Sequence, residues 1–292
     1  MVSKIIYDMK LKFLLFCYLF VYPFIMVAQP QKQTYMMLED RFIYDRYISY
    51  IYNDYNSNSD ELIIKTAKFF LNTPYVANTL EFEPEGLVVN LRELDCTTFL
   101  ETVYSLVMTV KSRELSFESF KFHLQKIRYR NGVINDYSDR LHYTSDWMYE
   151  NQSKKIVKMM SKRVGKSKLD LNLYIMSTNF DKYRQLKGNE DLTNKIKGIE
   201  QTINHRKYYF IPTEKIEKVK NRLKSGDMVG FVTTIPGIDI SHVGIIYKEG
   251  ERLTFYHASS SLKKVVLHQG TLYDYVKSTG KNTGIVVSRP IF

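Results

Sequence analysis

Few side chains in this sequence could act as nucleophiles, and Cys96 has the most suggestive setting. It stands in "NLRELDCTTFLETVYSLVMTV", residues 90–110, directly after Asp95. Apolar residues follow at 99, 100, 103, 106, 107 and 110, which is one face of a helix. With Asp95 as N-cap, Cys96 is the first helical residue. A helix start carries partial positive charge and free N–H groups. It therefore favours thiolate over thiol and offers the Cys96 N–H to a developing oxyanion. The Asp95 charge works against the thiolate, so an imidazole partner is the deciding requirement.

Two imidazoles stand in "SHVGIIYKEGERLTFYHASS": His242 and His257. A two-residue Glu249–Gly250 loop pairs Lys248 with Glu251. It sets the two histidines directly opposite one another, with Cβ atoms roughly 5 Å apart. Gly244, Ile246, Leu253 and Phe255 share their face, which is apolar and suited to helix packing. A one-residue slip would send the rings to opposite faces. A thiol, an imidazole and a second imidazole to orient the first make an activated cysteine nucleophile. Two other readings stay open from spacing alone. One is a helix-start cysteine with two strand histidines satisfied by hydrogen bonds. The other is a zinc site, for which no fourth ligand is evident.

The surrounding pattern must position these groups. "TYMMLEDRFIYDRYISYIYNDY", residues 34–55, reads as an amphipathic helix, "SDELIIKTAKFFLNTPY" as a second with Ser59 a candidate N-cap and Pro74 beyond its end, and "GLVVNL" as a short strand. The lysine-rich middle, about 115–225, reads as mostly helical, with helices beginning near Ser116, Ser145, Asp191 and Thr213. "GDMVGFVTT", "HVGIIYK", "RLTFYHAS", "KKVVLH" and "GIVVSRP" read as strands, interrupted only by a helical "TLYDYVKS". Helices first and strands last predict an α+β fold with an antiparallel sheet. One catalytic domain is expected over residues 29–292, with 115–225 as a helical insertion.

The apolar run "LKFLLFCYLFVYPFIMVAQPQ" follows Lys10 and Lys12 and reaches small residues at Ala28, the layout of a secretory signal peptide over residues 1–28. Met9 gives a better start than Met1 for such a signal. The run is short for a spanning helix and holds Pro23; an uncleaved anchor is the alternative. Cys17 lies within it, behind the bulky Phe16, which argues against lipoprotein processing. Cleavage leaves Cys96 as a lone cysteine: an intermolecular bridge, a buried filler or a reactive group. The expected location is periplasmic or extracellular, with no stable membrane insertion after cleavage. The formal charge is +11, and the first 28 residues carry three Lys and one Asp. The remaining excess suits polyanionic surfaces, or is a solvated lysine surface. No nucleic-acid motif is present, and nucleic acid is not an expected partner.

"LDCTTFLE", "GDMVGFVTT", "DISHVGIIY" and "FYHASSS", in this order, resemble the NlpC-type papain-like cell-wall hydrolases. With "TPYVANTLE", "VVNLRELDCTTFLE", "DRLHYTSDW" and "GIDISHVG", the chain is most similar to their N-acetylmuramoyl-L-alanine amidase-like branch, from about Asn72 to the C-terminus. The resemblance implies a nucleophile helix packed on an antiparallel sheet. Cys96 would be the nucleophile, His242 the base and His257 the third polar residue. It also implies that Tyr75 and the Cys96 N–H hold the oxyanion, and that no metal or organic cofactor is needed. Arg140, His142, Tyr143 and Trp147 of "DRLHYTSDW" would recognise sugar or lactyl-peptide. Glu81, Asn90, Asp95, Asp239 and Ser241 flank the motifs as further candidates to line the cleft. Asp-Cys-Thr-Thr replaces the Asp-Cys-Ser-Gly of many NlpC-type enzymes, which favours the amidase-like branch. The implied function is a secreted, monomeric hydrolase of muramyl-peptides. A γ-D-glutamyl-diamino-acid endopeptidase of the same fold and a non-catalytic wall-binding module are the alternatives.

Overall fold

A computed structural model describes residues 33–292. The signal-peptide reading, including Cys17, lies outside the described residues. Among these residues no helix is long and apolar enough to cross a membrane.

The central element is α3, Cys96–Ser112, entered after α1 (Leu38–Ile51) and α2 (Ser59–Phe69). A capping box starts it. The Asp95 carboxylate accepts from Thr98 N at 2.7 Å and from Thr98 Oγ1 at 2.8 Å, while Thr98 Oγ1 accepts from Asp95 N at 2.9 Å. Cys96 is thus the first helical residue, as the spacing predicted. α3 packs on α2, on α4 (Phe117–Arg128) and on the sheet. It is consequently buried on nearly every side and not on one face alone.

Glu101, one turn past Cys96, illustrates the difference. It lies off the apolar stripe in sequence, yet it is buried and accepts from Arg128 Nε at 2.6 Å; Arg128 Nη1 in turn donates to Val88 O at 2.6 Å. Glu101→Ala leaves a buried guanidinium unpaired and should destabilise the fold by about 3–5 kcal/mol, read from the midpoint of urea unfolding.

The sheet is antiparallel, consistent with the α+β expectation. Its strands are β3 (Val157–Met159), β4 (Ser167–Leu169), β5 (Tyr208–Pro212), β6 (Met228–Thr233), β7 (Ile240–Glu249), β8 (Arg252–Ser259), β9 (Lys264–Leu267) and β10 (Asn282–Pro290). They lie in the order β4-β5-β10-β6-β7-β8-β9, with β3 also paired to β10. The segment 115–225 does contain helices: α5 (Thr144–Ser153), α6 (Ser161–Val164), α7 (Ile175–Thr178), α8 (Glu190–Asn204) and α9 (Ile216–Val219), after α4. It also supplies β3, β4 and β5, which the sequence reading did not separate from helix because they are three to five residues long. "GLVVNL" yields only β2 (Leu87–Val88), in a separate parallel pair with β1 (Thr34–Tyr35). The helix start at residue 59 holds, but its cap residue is Asn58.

Strand alternation divides the core. Val243, Ile245, Tyr256 and Ala258 face α3 in one cluster; Ile246, Leu253, Phe255 and Phe231 face away from it in a second. The histidines belong to this second face. It is indeed packed by a helix, but by the short α10 (Leu272–Ser278), which contributes Leu272 and Val276.

The hairpin register differs from the expected one. Glu249 pairs with Arg252 and Lys248 with Leu253, so the loop is Gly250–Glu251. Gly250 has φ +59° at the first loop position, where a type II′ turn needs glycine. The shift is two residues, which preserves parity: both histidines stay on one face, offset diagonally instead of directly opposite. Gly244 shares their face of the hairpin. A Cβ there would meet Phe255 Cδ2 at 2.7 Å and Tyr256 O at 2.8 Å, so glycine permits Phe255 to lie across β7.

Candidate active site

Cys96 is partly exposed at the mouth of α3. Burial of the sulfur, and next the Asp95 charge, push its thiol up to about 11. The Val243 N–H and the hydroxyl and N–H of Thr97 pull the other way without prevailing. The expectation that the helix start favours thiolate is therefore corrected. Desolvation, joined by the Asp95 charge, outweighs the helix dipole.

His242 lies beyond the last β7–β8 pair, Ile245↔Tyr256. Its Nε2 is 2.7 Å from His257 Nδ1, with the rings nearly perpendicular at 85°. The pair is set in an aromatic box. Phe255 lies 4.7 Å from the His257 ring centroid, Phe231 lies 6.0 Å from that of His242, and Tyr275 of α10 lies within 6.2 Å of both. Burial pushes His242 down to about 4. Burial, then His242 and His268, push His257 down to about 3. Both imidazoles are neutral at ordinary pH.

Neutral thiol and neutral imidazole make two pH signatures. A base with pKa near 4 loses function only when protonated, so the acid limb of kcat/KM should fall near pH 4 and not near 6.5. Alkylation of Cys96 by iodoacetamide should rise about tenfold per pH unit up to roughly pH 11. A pH-independent alkylation plateau at neutral pH would instead reveal a resting thiolate–imidazolium pair.

Cys96 and His242 line one cleft of about 510 Å³. Of the candidates named from sequence, Glu81, His142, Tyr143, Asp239 and Ser241 also line it. Asp239 is buried and ties the cleft together: it accepts from Ser145 N at 2.6 Å, at the start of α5, and from Ile240 N at 2.8 Å. Tyr143 donates to the buried Glu200 at 2.6 Å, and Glu200 also accepts from Met176 N at 3.1 Å. His142 has a ring nitrogen 2.8 Å from Tyr137 O, and burial followed by the Arg140 charge pushes it down to about 3. Tyr75 is anchored by its N–H to Lys263 O at 2.9 Å, and its hydroxyl is pushed up by burial and then by Cys96 and Asp95.

Other candidates are placed elsewhere. Trp147 is 2% exposed in the main core, and Arg140 is 6% exposed; neither lines the cleft. Arg140 grips Glu85 with two bonds, at 3.0 and 2.8 Å, and Glu81 at 2.7 Å. Its guanidinium carbon lies 4.8 Å from the Tyr137 ring centroid. Their reading as direct ligand contacts is corrected: Arg140 holds the wall that carries Glu81 and Tyr137, and Trp147 fills the core. Asp95 is committed to capping, and Asn90 lines a neighbouring groove. His268, which reads as a surface residue, is half-buried 6.1 Å from the His257 ring. Sequence reasoning missed Asn78, Thr97, Lys182, Tyr183 and Arg184 as cleft residues. Thr97 adjoins Cys96 and was within reach; the 182–184 stretch carries no local signal. Among the described residues no cluster of three or more His, Cys, Asp or Glu is arranged to hold a metal ion.

The family described as AmiA-like, N-acetylmuramoyl-L-alanine amidase-like, matches residues 65–285. The chain belongs to this family. A crystal structure of an N-acetylmuramoyl-L-alanine amidase from Bacteroides uniformis ATCC 8492 is similar to this AmiA-like chain at 34% identity and TM-score 0.77, covering 80% of this chain and 99% of that one. A Bacteroides fragilis protein named as a candidate xylanase is similar at 33% identity and TM-score 0.73, covering 77% and 98%. The Legionella pneumophila str. Philadelphia 1 protein LPG0564 shares the fold at 22% identity and TM-score 0.63, covering 87% and 97%. Comparison with curated proteins found no match.

Proposed function

We propose that this AmiA-like protein is a secreted cysteine amidase of the papain-like NlpC type, cutting the amide between N-acetylmuramic acid and L-alanine. One observation supports the reading: a helix-start cysteine and His242, itself hydrogen-bonded to the buried His257, line the same cleft. Residues 1–28 are the signal peptide and 29–292 the single catalytic domain, acting in the periplasm or outside the cell as a monomer.

The chemistry follows from the geometry. In the tautomer this mechanism requires, His242 Nε2–H donates to His257 Nδ1, 2.7 Å away, and His242 Nδ1 is the base. It takes the Cys96 proton as the sulfur attacks the lactyl carbonyl, so the thiolate forms only during attack. The Cys96 N–H and the Tyr75 hydroxyl donate to the tetrahedral oxyanion. His242 then protonates the leaving alanine nitrogen, and water activated by His242 releases the muramic acid from the thioester. No metal or organic cofactor enters these steps.

Mass spectrometry of defined muropeptides tests the bond assignment. The expected products are free stem peptide with N-terminal L-Ala and the peptide-free sugar. Stem peptides lacking the sugar should be inert, because binding energy remote from the bond supplies positioning. Cleavage of free stem peptides after D-Glu would replace this reading with the endopeptidase alternative.

A further inference from the structure

The histidine pair leaves one nitrogen unaccounted for. His257 Nδ1 is engaged with His242, but His257 Nε2 is buried and has no hydrogen-bond partner among the described residues. The residue is only 4% exposed, so bulk water does not satisfy that atom. A polar atom buried in this way needs a partner, the more so beside a ring that must become charged during catalysis.

The sheet supplies a third imidazole. His257 pairs with Val266 across β8 and β9, and the same register, one residue past β9, sets His268 opposite Phe255. His268 N donates to Phe255 O at 3.0 Å and Thr254 Oγ1 donates to His268 O at 2.7 Å, which fixes its backbone. His242, His257 and His268 thus run diagonally across three neighbouring strands on one face. The His268 ring stacks on Phe255, with centroids 5.1 Å apart at 29°. Tyr275 of α10 lies 5.1 Å from His268 and 5.9 Å from His257, so one aromatic box encloses all three imidazoles. The His257 and His268 centroids are 6.1 Å apart. Ring nitrogens facing across that gap stand roughly 4–5 Å apart, too far for a direct bond and suited to one bridging water.

We infer that His268 is a positioning residue for the histidine pair, joined through one water to His257 Nε2. His257 Nε2–H donates to the water, and the water donates to the neutral His268 ring. No proton leaves any group. The bridge holds His257 in the tautomer whose Nδ1 accepts from His242, and makes that Nδ1 a stronger acceptor when His242 becomes imidazolium. The part played in turnover rests on the cysteine-amidase reading; the bridge itself does not. The charged and titratable groups around His268 are Arg252 of β8, Asp274 and Tyr275 of α10, and His257. Burial and then Arg252 hold His268 below its ordinary range, against Asp274. It is therefore neutral, and able to accept, above about pH 6.5.

Three proteins test the inference: the wild type; His268→Phe, which keeps the stack on Phe255 without a nitrogen; and His268→Gln, which restores an acceptor. On a muramyl-peptide at about pH 8, His268→Phe should lose about tenfold in kcat with little change in KM, and His268→Gln should stay within about threefold of the wild type. A protonated His268 cannot accept, so the wild-type advantage over His268→Phe should shrink toward one as pH falls through the His268 pKa. NMR of the imidazole nitrogens should show His257 protonated on Nε2 in the wild type and a mixture of tautomers in His268→Phe. Wild-type kcat in His268→Phe, or a loss that is the same at every pH, would overturn the positioning role. A His257 tautomer that ignores the substitution overturns the bridge whatever the activity. A tautomer that responds, in a protein that cleaves no muramyl amide, would sink the functional reading and leave the bridge standing.

Discussion

Cys96→Ala protein should fold like the wild type and lose muramyl-amide hydrolysis by roughly 10⁴-fold or more. The fold should survive because the capping box is built by Asp95 and Thr98, not by the cysteine. Cys96 is a small residue at the helix mouth and is itself only half-buried, so removal of its sulfur should change stability by no more than about 1 kcal/mol. Activity should disappear because the Cys96 sulfur is the atom that forms the acyl intermediate in the proposed mechanism. The checks are turnover of a defined muropeptide, thermal unfolding, and mass spectrometry after alkylation, with one adduct on the wild type at Cys96. Turnover near wild type in the alanine variant would end the cysteine mechanism.

His242→Ala should be about as damaging as Cys96→Ala, and the double variant little worse than either, because members of one catalytic unit are not additive. The raised thiol makes this dependence steep. With a pKa near 11, the sulfur is almost wholly protonated at neutral pH and needs a base at the moment of attack. His257→Gln should lose less, by roughly 10²-fold relative to His242→Ala, since it orients and does not transfer the proton. The pair also links folding to pH. Folded pKa values near 4 and 3 lie below the ordinary value of about 6.5 for an unfolded histidine. The unfolded chain therefore takes up protons first as pH falls. The stability contributed by these neutral imidazoles is present above about pH 6.5 and is lost progressively down to about pH 4. Urea midpoints that hold steady from pH 7 to 4 would contradict that assignment.

Local rules made much of the site legible. The Asp95–Cys96 helix start needs only an N-cap acid, a following turn and an apolar stripe, all within a few residues. The common face of His242 and His257 depends on strand parity, which survived a two-residue error in register. The register itself turned on which loop position takes positive φ. Gly250 can take it at the first position, whereas the expected loop asked Glu249 to do so.

Other outcomes depend on partners distant in the chain. The charge of Arg140 suggested a ligand contact, but Glu85 and Glu81, more than fifty residues earlier, already satisfy it. Glu101 reads as surface until Arg128 is brought beside it by α4. A helix dipole argues for thiolate in sequence, and desolvation, which exists only once the chain has packed, reverses it. Sequence by itself determined the helix-start position of Cys96, the shared face of the histidines and the α+β class, because each follows from caps and periodicities of two and 3.6. The tertiary structure alone decided that Lys182, Tyr183 and Arg184 reach the cleft, that α10 covers the histidine face, and that a second groove opens beside the first. Those depend on which surfaces are desolvated against one another, and no local pattern encodes that.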